Sequence, residues 1–127
     1  MAHIKSLLLL LFFSLSLLVF HYIGIQSYFY WSIGWYDTVS HLLGGIIIGL
    51  FTMLFSVGSN FSKKVSFWRS LLMALGVVVL WEFFEFETGI TYLSSKYVID
   101  TLFDMLSGLV GAIISVGISL LFFKDRV

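Results

Sequence analysis

Three pairs of ionisable side chains in this sequence are spaced so that both members of a pair lie on one face of a helix. The pairs are Asp37 with His41, Glu82 with Glu85, and Asp100 with Asp104. Residues three or four apart share a helical face, so each pair can point in a common direction. Carboxylates with one imidazole and no thiolate suit Mg²⁺, Mn²⁺, Zn²⁺ or Fe²⁺. The spacing therefore predicts a divalent-metal site with these six residues as its ligands.

A metal ion held by these residues would supply hydrolytic or transfer chemistry. Bound divalent ions activate water and polarise phosphoryl or acyl oxygens. Glu85 and His41 are the predicted catalytic residues, with Glu85 acting as the general base. Glu87 falls away from the stripe that Glu82 and Glu85 share, and we expect it to be solvated. His21 leaves two interpretations open, a contribution to the site or a packing role in an apolar helix.

The composition of the chain predicts a polytopic membrane protein. Apolar residues make up 60% of the 127 residues and charged residues 11%, against about a quarter charged in soluble domains. Four stretches approach the ~20 apolar residues that a membrane helix needs, at about 7–25, 36–57, 71–86 and 98–123. We therefore expect an all-α, four-transmembrane-helix bundle that forms one integral membrane domain over residues 1–127. Zero net charge argues against nucleic-acid binding, and the lack of cysteine excludes disulfides and a thiol nucleophile.

The basic residues predict how the helices cross the membrane. Six of them fall at the two termini and in the second connection, and only Lys96 falls elsewhere. The six are Lys5, Lys63, Lys64, Arg69, Lys124 and Arg126. By the positive-inside rule both termini are cytoplasmic, and the three pairs lie at the outer face of the cell membrane. Residues 1–25 also resemble a signal peptide, but no small-x-small cleavage site follows them, so we expect them to remain as the first helix.

Interfacial placement is the alternative explanation of the acids, because side chains at helix ends can reach headgroups and water. It suits Asp37 and Asp100, since the helix dipole favours acids near an N-terminus. It suits Glu82 and Glu85 poorly, because they close the third predicted helix. Small residues on the second and fourth predicted helices favour close packing, which would bring the acids together. They are Gly44, Gly45, Gly49, Ser107, Gly108, Gly111, Ala112, Ser115 and Ser119.

The order of these motifs resembles a known family. The motifs are D-x-x-x-H with Gly-Gly at residues 37–45, W-E-x-x-E at 81–85 and D-x-x-x-D-M at 100–105. They are similar to those of the YjdF-type inner-membrane proteins of unknown function, and more distantly to VanZ-like proteins linked to teicoplanin resistance. The resemblance covers about residues 36–115. It implies an integral membrane protein of the cell envelope with the shared acids as its site, and it supplies no reaction.

Two classes of function follow from the sequence. The first is a metal-dependent membrane hydrolase or transferase acting on a lipid or a lipid-linked envelope substrate. The second is non-enzymatic, either a module that binds or conducts cations or protons, or a small structural subunit of a membrane complex. The paired acids all lie toward one side, which disfavours a full transmembrane path in a monomer. The expected partners are membrane lipids and a lipid-linked substrate, without nucleic acid, and assembly into a homo-oligomer stays open.

Overall fold

Helices account for the regular secondary structure of every stretch that the structure describes. The computed structural model describes residues 2–58, 61–88 and 96–122. Across these ranges there is no strand, and the helices are α1 (Ala2–Gln26), α2 (Phe29–Ser32), α3 (Tyr36–Gly58), α4 (Lys63–Thr88) and α5 (Tyr97–Phe122). The helices α1, α3, α4 and α5 are each long and apolar enough to cross a membrane. The predicted all-α bundle of four membrane helices is confirmed.

The third predicted helix, placed at 71–86, is longer in the structure and runs over Lys63–Thr88 as α4. Its first two turns carry basic residues. Lys and Arg are good helix formers, but a prediction based on the length of an apolar stretch leaves them out. Ser62 marks its start, because the Val65 backbone N–H donates to Ser62 Oγ at 3.3 Å, as in an N-cap. Residues 89–95 of the third connection, Lys124, Arg126 and the helix end predicted at 123 lie outside the described residues.

The first connection contains a helical turn, α2, that the sequence did not predict. Tyr28 precedes it with φ of 58°, a left-handed backbone conformation that is uncommon for a residue other than glycine. The chain turns there, and the rings of Phe29 and Tyr30 then pack against Tyr36, with centroids 5.4 and 5.0 Å away. A hydropathy pattern does not predict these contacts between aromatic rings, because they depend on how the chain turns at Tyr28.

Helices α3 and α5 run parallel and form the most extensive helix pair of the bundle. A Cβ atom at Gly45 would collide with the carbonyl oxygen of Gly108, and one at Gly111 would collide with the carbonyl oxygen of Leu42. The two backbones therefore touch, as small residues in membrane helices allow. Gly44 differs from its neighbour, because a Cβ atom there would have nothing within 4 Å. Gly44 takes no part in this packing.

Helix α4 packs antiparallel to α3 and α5 with a narrow buried face. The buried residues of that face are Ser66, Ser70, Ala74, Val78, Glu82 and Glu85. Helix α1 packs on α3, where the Tyr36 ring stacks on Phe20 at 4.0 Å and the Tyr36 hydroxyl donates to the Phe20 carbonyl at 2.6 Å. In the described ranges α1 makes no extended contact with α4 or α5. The carboxyl-terminal ends of α1 and α4 meet the amino-terminal ends of α3 and α5 at one end of the bundle.

Candidate metal site

The end of the bundle where α3, α4 and α5 meet carries a buried cluster of two acids and one imidazole. His41 lies in the second turn of α3, Glu82 near the end of α4, and Asp104 in the second turn of α5. The exposed fractions of the three residues are 7%, 8% and 5%. One ligand atom from each lies within 4.8 Å of the other two. We call these three residues the buried triad.

Asp37 and Glu85 extend the buried triad on the side of His41. Together with His41 they form a second group whose ligand atoms lie within 4.8 Å of one another. The Asp37 Oδ1 atom is 3.7 Å from His41 Nε2. Asp37 is partly exposed, whereas Glu85 is buried. Because both groups include His41, its ring is the centre of the cluster.

Three atoms of this cluster are buried without a hydrogen-bond partner, namely His41 Nε2, Glu82 Oε1 and Glu85 Oε2. His41 Nε2 lies 3.4 Å from Glu82 Oε1, which exceeds the roughly 2.7–3.2 Å of an N–H···O hydrogen bond. Two ligand atoms that are each about 2.0–2.2 Å from a tetrahedral ion lie about 3.3–3.6 Å apart. The His41–Glu82 pair therefore has the separation of two ligands around one ion.

Neighbouring side chains hold the second oxygen of each glutamate. Thr101 Oγ1, from α5, donates to Glu82 Oε2 at 3.0 Å. Trp81 Nε1, one turn before Glu85, donates to Glu85 Oε1 at 2.8 Å. Hydrogen bonds of this kind orient the ligating carboxylates of metal sites. Glu82 and Glu85 thus each have one oxygen fixed and one oxygen without a partner.

Asp104 is held by contacts that cross the interface between α3 and α5. Thr38 Oγ1 donates to Asp104 Oδ1 at 2.7 Å, and Ser107 Oγ donates to the Thr38 carbonyl at 2.6 Å. Both contacts require the two helices to be as close as the Gly45–Gly108 contact makes them. The small residues therefore position one member of the buried triad in addition to packing the helices.

The remaining predicted residues lie away from the buried triad. Asp100 is exposed and lines the cavity described below, and among the described residues it belongs to neither group of close ligand atoms. Glu87 is exposed near the end of α4, as expected for a solvated side chain. His21 lines the same cavity but pairs with Tyr30 instead of an acid.

Hydrogen bonds link α1, α2 and α3 on the other side of the cavity. The Tyr30 hydroxyl lies 2.8 Å from His21 Nδ1 and 2.8 Å from Ser40 Oγ. Burial raises the pKa of Tyr30 to about 12, so its phenol keeps its proton at neutral pH. All three residues line the cavity that holds the acids. They add hydrogen-bonding groups to the wall of the cavity that also holds the acids.

A cavity of about 970 Å³ joins these groups, which is large for a ligand pocket of roughly 300–1,000 Å³. Helices α1, α3, α4 and α5 all contribute to its walls. The acids and His41 occupy one end, and the lining away from them is mainly apolar. Among its described lining residues there is no Lys or Arg.

The comparison with known families agrees with this architecture. A family described as "Predicted membrane protein (DUF2238)" matches residues 2–125. The chain belongs to the DUF2238 family. This is the family of the YjdF-type proteins, so that resemblance is confirmed, while the likeness to VanZ-like proteins is only distant. No curated protein and no solved structure gives a match. The family match and the four apolar helices identify a multi-pass membrane protein.

In this DUF2238 chain, sequence reasoning missed the side chains that hold the acids in position. Trp81 carried a usable signal, because it lies one helical turn before Glu85. Thr38 and Thr101 gave none, since each contacts an acid on a different helix and is found only once the packing is known. Tyr30 was also missed, because its contacts depend on the unpredicted turn α2.

Proposed function

We propose that the chain holds a divalent metal ion at the buried triad and uses it in a hydrolysis or transfer reaction on a membrane lipid or lipid-linked envelope substrate. One observation carries the proposal: His41 Nε2 and Glu82 Oε1 are buried, lack hydrogen-bond partners and lie 3.4 Å apart. An unsatisfied buried polar group costs about 1–3 kcal/mol, and a charged one costs more. A cation in contact with both atoms would remove that cost. One imidazole nitrogen with carboxylate oxygens suits Zn²⁺, Mn²⁺, Mg²⁺ or Fe²⁺.

The charge of the cavity also supports a bound cation. Its lining includes five carboxylates and no described Lys or Arg; the acids are Asp37, Glu82, Glu85, Asp100 and Asp104. Like charges within a few ångströms repel strongly where the dielectric is low. Acidic groups at membrane depth therefore pair with cations or face polar cavities. A divalent ion would offset part of this repulsion.

Within the proposal, the buried triad supplies the ligands and Glu85 supplies the general base. A bound ion would polarise an acyl or phosphoryl oxygen and activate water. Trp81 fixes one oxygen of Glu85 and leaves Oε2 without a partner. Glu85 can then accept a proton from the attacking water and return it to the leaving oxygen as the acyl–oxygen or phosphorus–oxygen bond breaks. His41 acts as the central ligand.

Conduction of cations or protons, the non-enzymatic alternative, gains no support from the middle of the bundle. The buried Asp, Glu and His side chains of the described ranges all belong to the cluster. Beyond it, the buried residues of the described ranges are apolar or carry hydroxyl groups, such as Leu50 on α3, Ser70 on α4 and Ser115 on α5. Proton relays in membrane proteins are built from Asp, Glu and His chains, and the described buried residues beyond the cluster include none of these.

The proposal places the site at the outer face of the cell membrane. Lys63 and Lys64 begin α4, and Glu85 lies near its other end. At 1.5 Å per residue these residues are about 32 Å apart along the helix, close to the ~30 Å hydrocarbon core of a bilayer. With the basic end in the cytoplasm, the cluster faces the opposite side.

Two glutamine variants separate the ligand role of Glu82 from the base role of Glu85. Glu82→Gln removes a charged ligand of the buried triad, so we expect metal affinity to fall more than about 100-fold. Glu85→Gln leaves the triad intact, so affinity should stay within about tenfold of wild type. Calorimetric titration of the chelator-treated protein with Zn²⁺ or Mn²⁺ measures both. If Glu85→Gln loses the metal and Glu82→Gln keeps it, the ion binds instead to the group of Asp37, His41 and Glu85.

The hydrogen bond from Thr101 should contribute to metal affinity without touching the ion. Thr101→Val keeps the shape of the side chain and removes the donor to Glu82 Oε2. We expect metal to bind about 10–100-fold more weakly, because the free carboxylate is no longer oriented. Thr52→Val is the control, since Thr52 Oγ1 donates within α3 to Ile48. Equal affinities of the two variants would show that this hydrogen bond has no role at the site.

A further inference from the structure

We infer that the apolar part of the cavity holds one hydrocarbon chain of a membrane lipid, which enters between α1 and α4 and presents its polar group to the buried triad. The inference rests on the proposed function and names its substrate class as a lipid ester or phosphoester of the bilayer. It follows from the length of the cavity, from where it opens and from the charges on its wall.

The cavity is much longer than an ion and its water would need. On α3 its lining runs from Asp37 to Ile48, and on α1 from Ser14 to Ile25. At 1.5 Å per residue each stretch spans about 16 Å, about half of a ~30 Å hydrocarbon core. The deep part is lined mainly by aliphatic side chains, which are Leu17, Leu18, Ile47, Ile48, Val77 and Val78. This part suits a hydrocarbon chain.

The gap between α1 and α4 decides which molecule reaches this space. Both helices line the cavity, yet they make no extended contact with each other in the described ranges. Leu18 on α1 and Val77 on α4 line the cavity and are also exposed. At that depth the surroundings are acyl chains, while water would find few polar partners, since Ser14 is the one hydroxyl residue that lines the described α1 wall. An empty apolar void would lose packing contacts, so a lipid chain is the occupant.

The polar end of the cavity restricts the headgroup. The described residues that line it include five carboxylates and no Lys or Arg. These carboxylates repel an anionic headgroup that arrives without a cation. An ester or phosphoester oxygen can bind there as a ligand of the metal ion.

Gly44 gives a direct test, because it lines the cavity and a Cβ atom there meets nothing within 4 Å. Gly44→Phe should fill the space without displacing a helix. Gly76→Phe is the matched control, since Gly76 is equally unobstructed but does not line the cavity. Leu17→Trp narrows the same space from α1 and is a second variant in case Gly44→Phe does not fold.

Native mass spectrometry with added phosphatidylglycerol, in the presence of Zn²⁺ to offset the charge of the carboxylates, measures the lipid that each variant retains. We expect wild type and Gly76→Phe to retain a single phosphatidylglycerol, and Gly44→Phe and Leu17→Trp to bind it at least about tenfold more weakly. Wild-type lipid binding by Gly44→Phe and Leu17→Trp, or equal loss in all three variants, overturns the inference. Retention of polyprenyl phosphate in place of phosphatidylglycerol overturns the assignment to a bilayer lipid.

Metal content measured on the same samples separates this inference from the proposed function. Gly44→Phe should lose lipid and keep the ion, since no member of the buried triad changes. A wild type that retains lipid in the cavity but never binds metal contradicts the proposed function alone. If the protein binds metal but wild type and Gly44→Phe bind lipid equally well, the lipid inference alone is contradicted.

Discussion

Replacing His41 with alanine is expected to remove the bound metal ion. The wild-type chain should carry about one divalent ion per site, and His41→Ala should bind it more than 100-fold more weakly. The reason is geometric, because His41 belongs to both groups of close ligand atoms and offers the single nitrogen in each. Elemental analysis after dialysis against Zn²⁺, Mn²⁺, Mg²⁺ or Fe²⁺ measures the content. The ion should also raise the melting temperature of wild type, as any ligand of the folded state does.

His21→Ala is the control for this experiment. His21 is also an imidazole that lines the cavity, but its partner is the Tyr30 hydroxyl. We expect His21→Ala to bind metal with an affinity within a few-fold of wild type, since no ligand is removed. Equal loss of metal in both histidine variants would mean that the ion is held diffusely by the cavity and not by the cluster around His41.

The second large effect is expected from one methyl group at Gly45. Gly45→Ala places a Cβ atom against the carbonyl oxygen of Gly108, so α3 and α5 must separate. Overpacking of this kind lowers the free energy of unfolding by about 1–3 kcal/mol or more. Gly44→Ala is the neighbouring control, because its Cβ atom meets nothing within 4 Å. Both substitutions gain the same helix propensity of up to about 1 kcal/mol, so their difference isolates the helix contact.

Unfolding of the two glycine variants in mixed micelles compares their stabilities. Gly45→Ala should also bind metal more weakly, because the hydrogen bond from Thr38 to Asp104 crosses the same interface. Equal stability of the two variants, with unchanged metal affinity, would show that this glycine contact neither packs the helices nor positions Asp104.

The fold was largely predictable because hydropathy and helical spacing are local properties of a sequence. Four apolar stretches predicted four membrane helices, and the i,i+4 spacing placed Asp37 and His41 on one face. The start of α4 was not predictable from hydropathy, since Ser62 caps the helix ahead of a basic turn. Where a helix begins in water depends on its cap and not on its apolar length.

The internal arrangement of the site was only partly predictable, because it depends on how each helix is rotated about its axis. Gly44 and Gly45 both line the cavity, yet a Cβ atom would be unobstructed at Gly44 and would collide with Gly108 at Gly45. Asp100 and Asp104 share a face by spacing, but only Asp104 lies deep enough to join the buried triad. These differences are set by contacts between helices that are distant in sequence.

X-ray absorption spectroscopy of the Zn²⁺-loaded wild type tests the central claim most directly. The account predicts a four-coordinate ion with one imidazole nitrogen and at least two carboxylate oxygens at about 2.0–2.2 Å. The imidazole contribution should be absent from any residual metal in His41→Ala and unchanged in His21→Ala. A spectrum of an ion coordinated by water alone, or a wild type that retains no ion, would contradict the account.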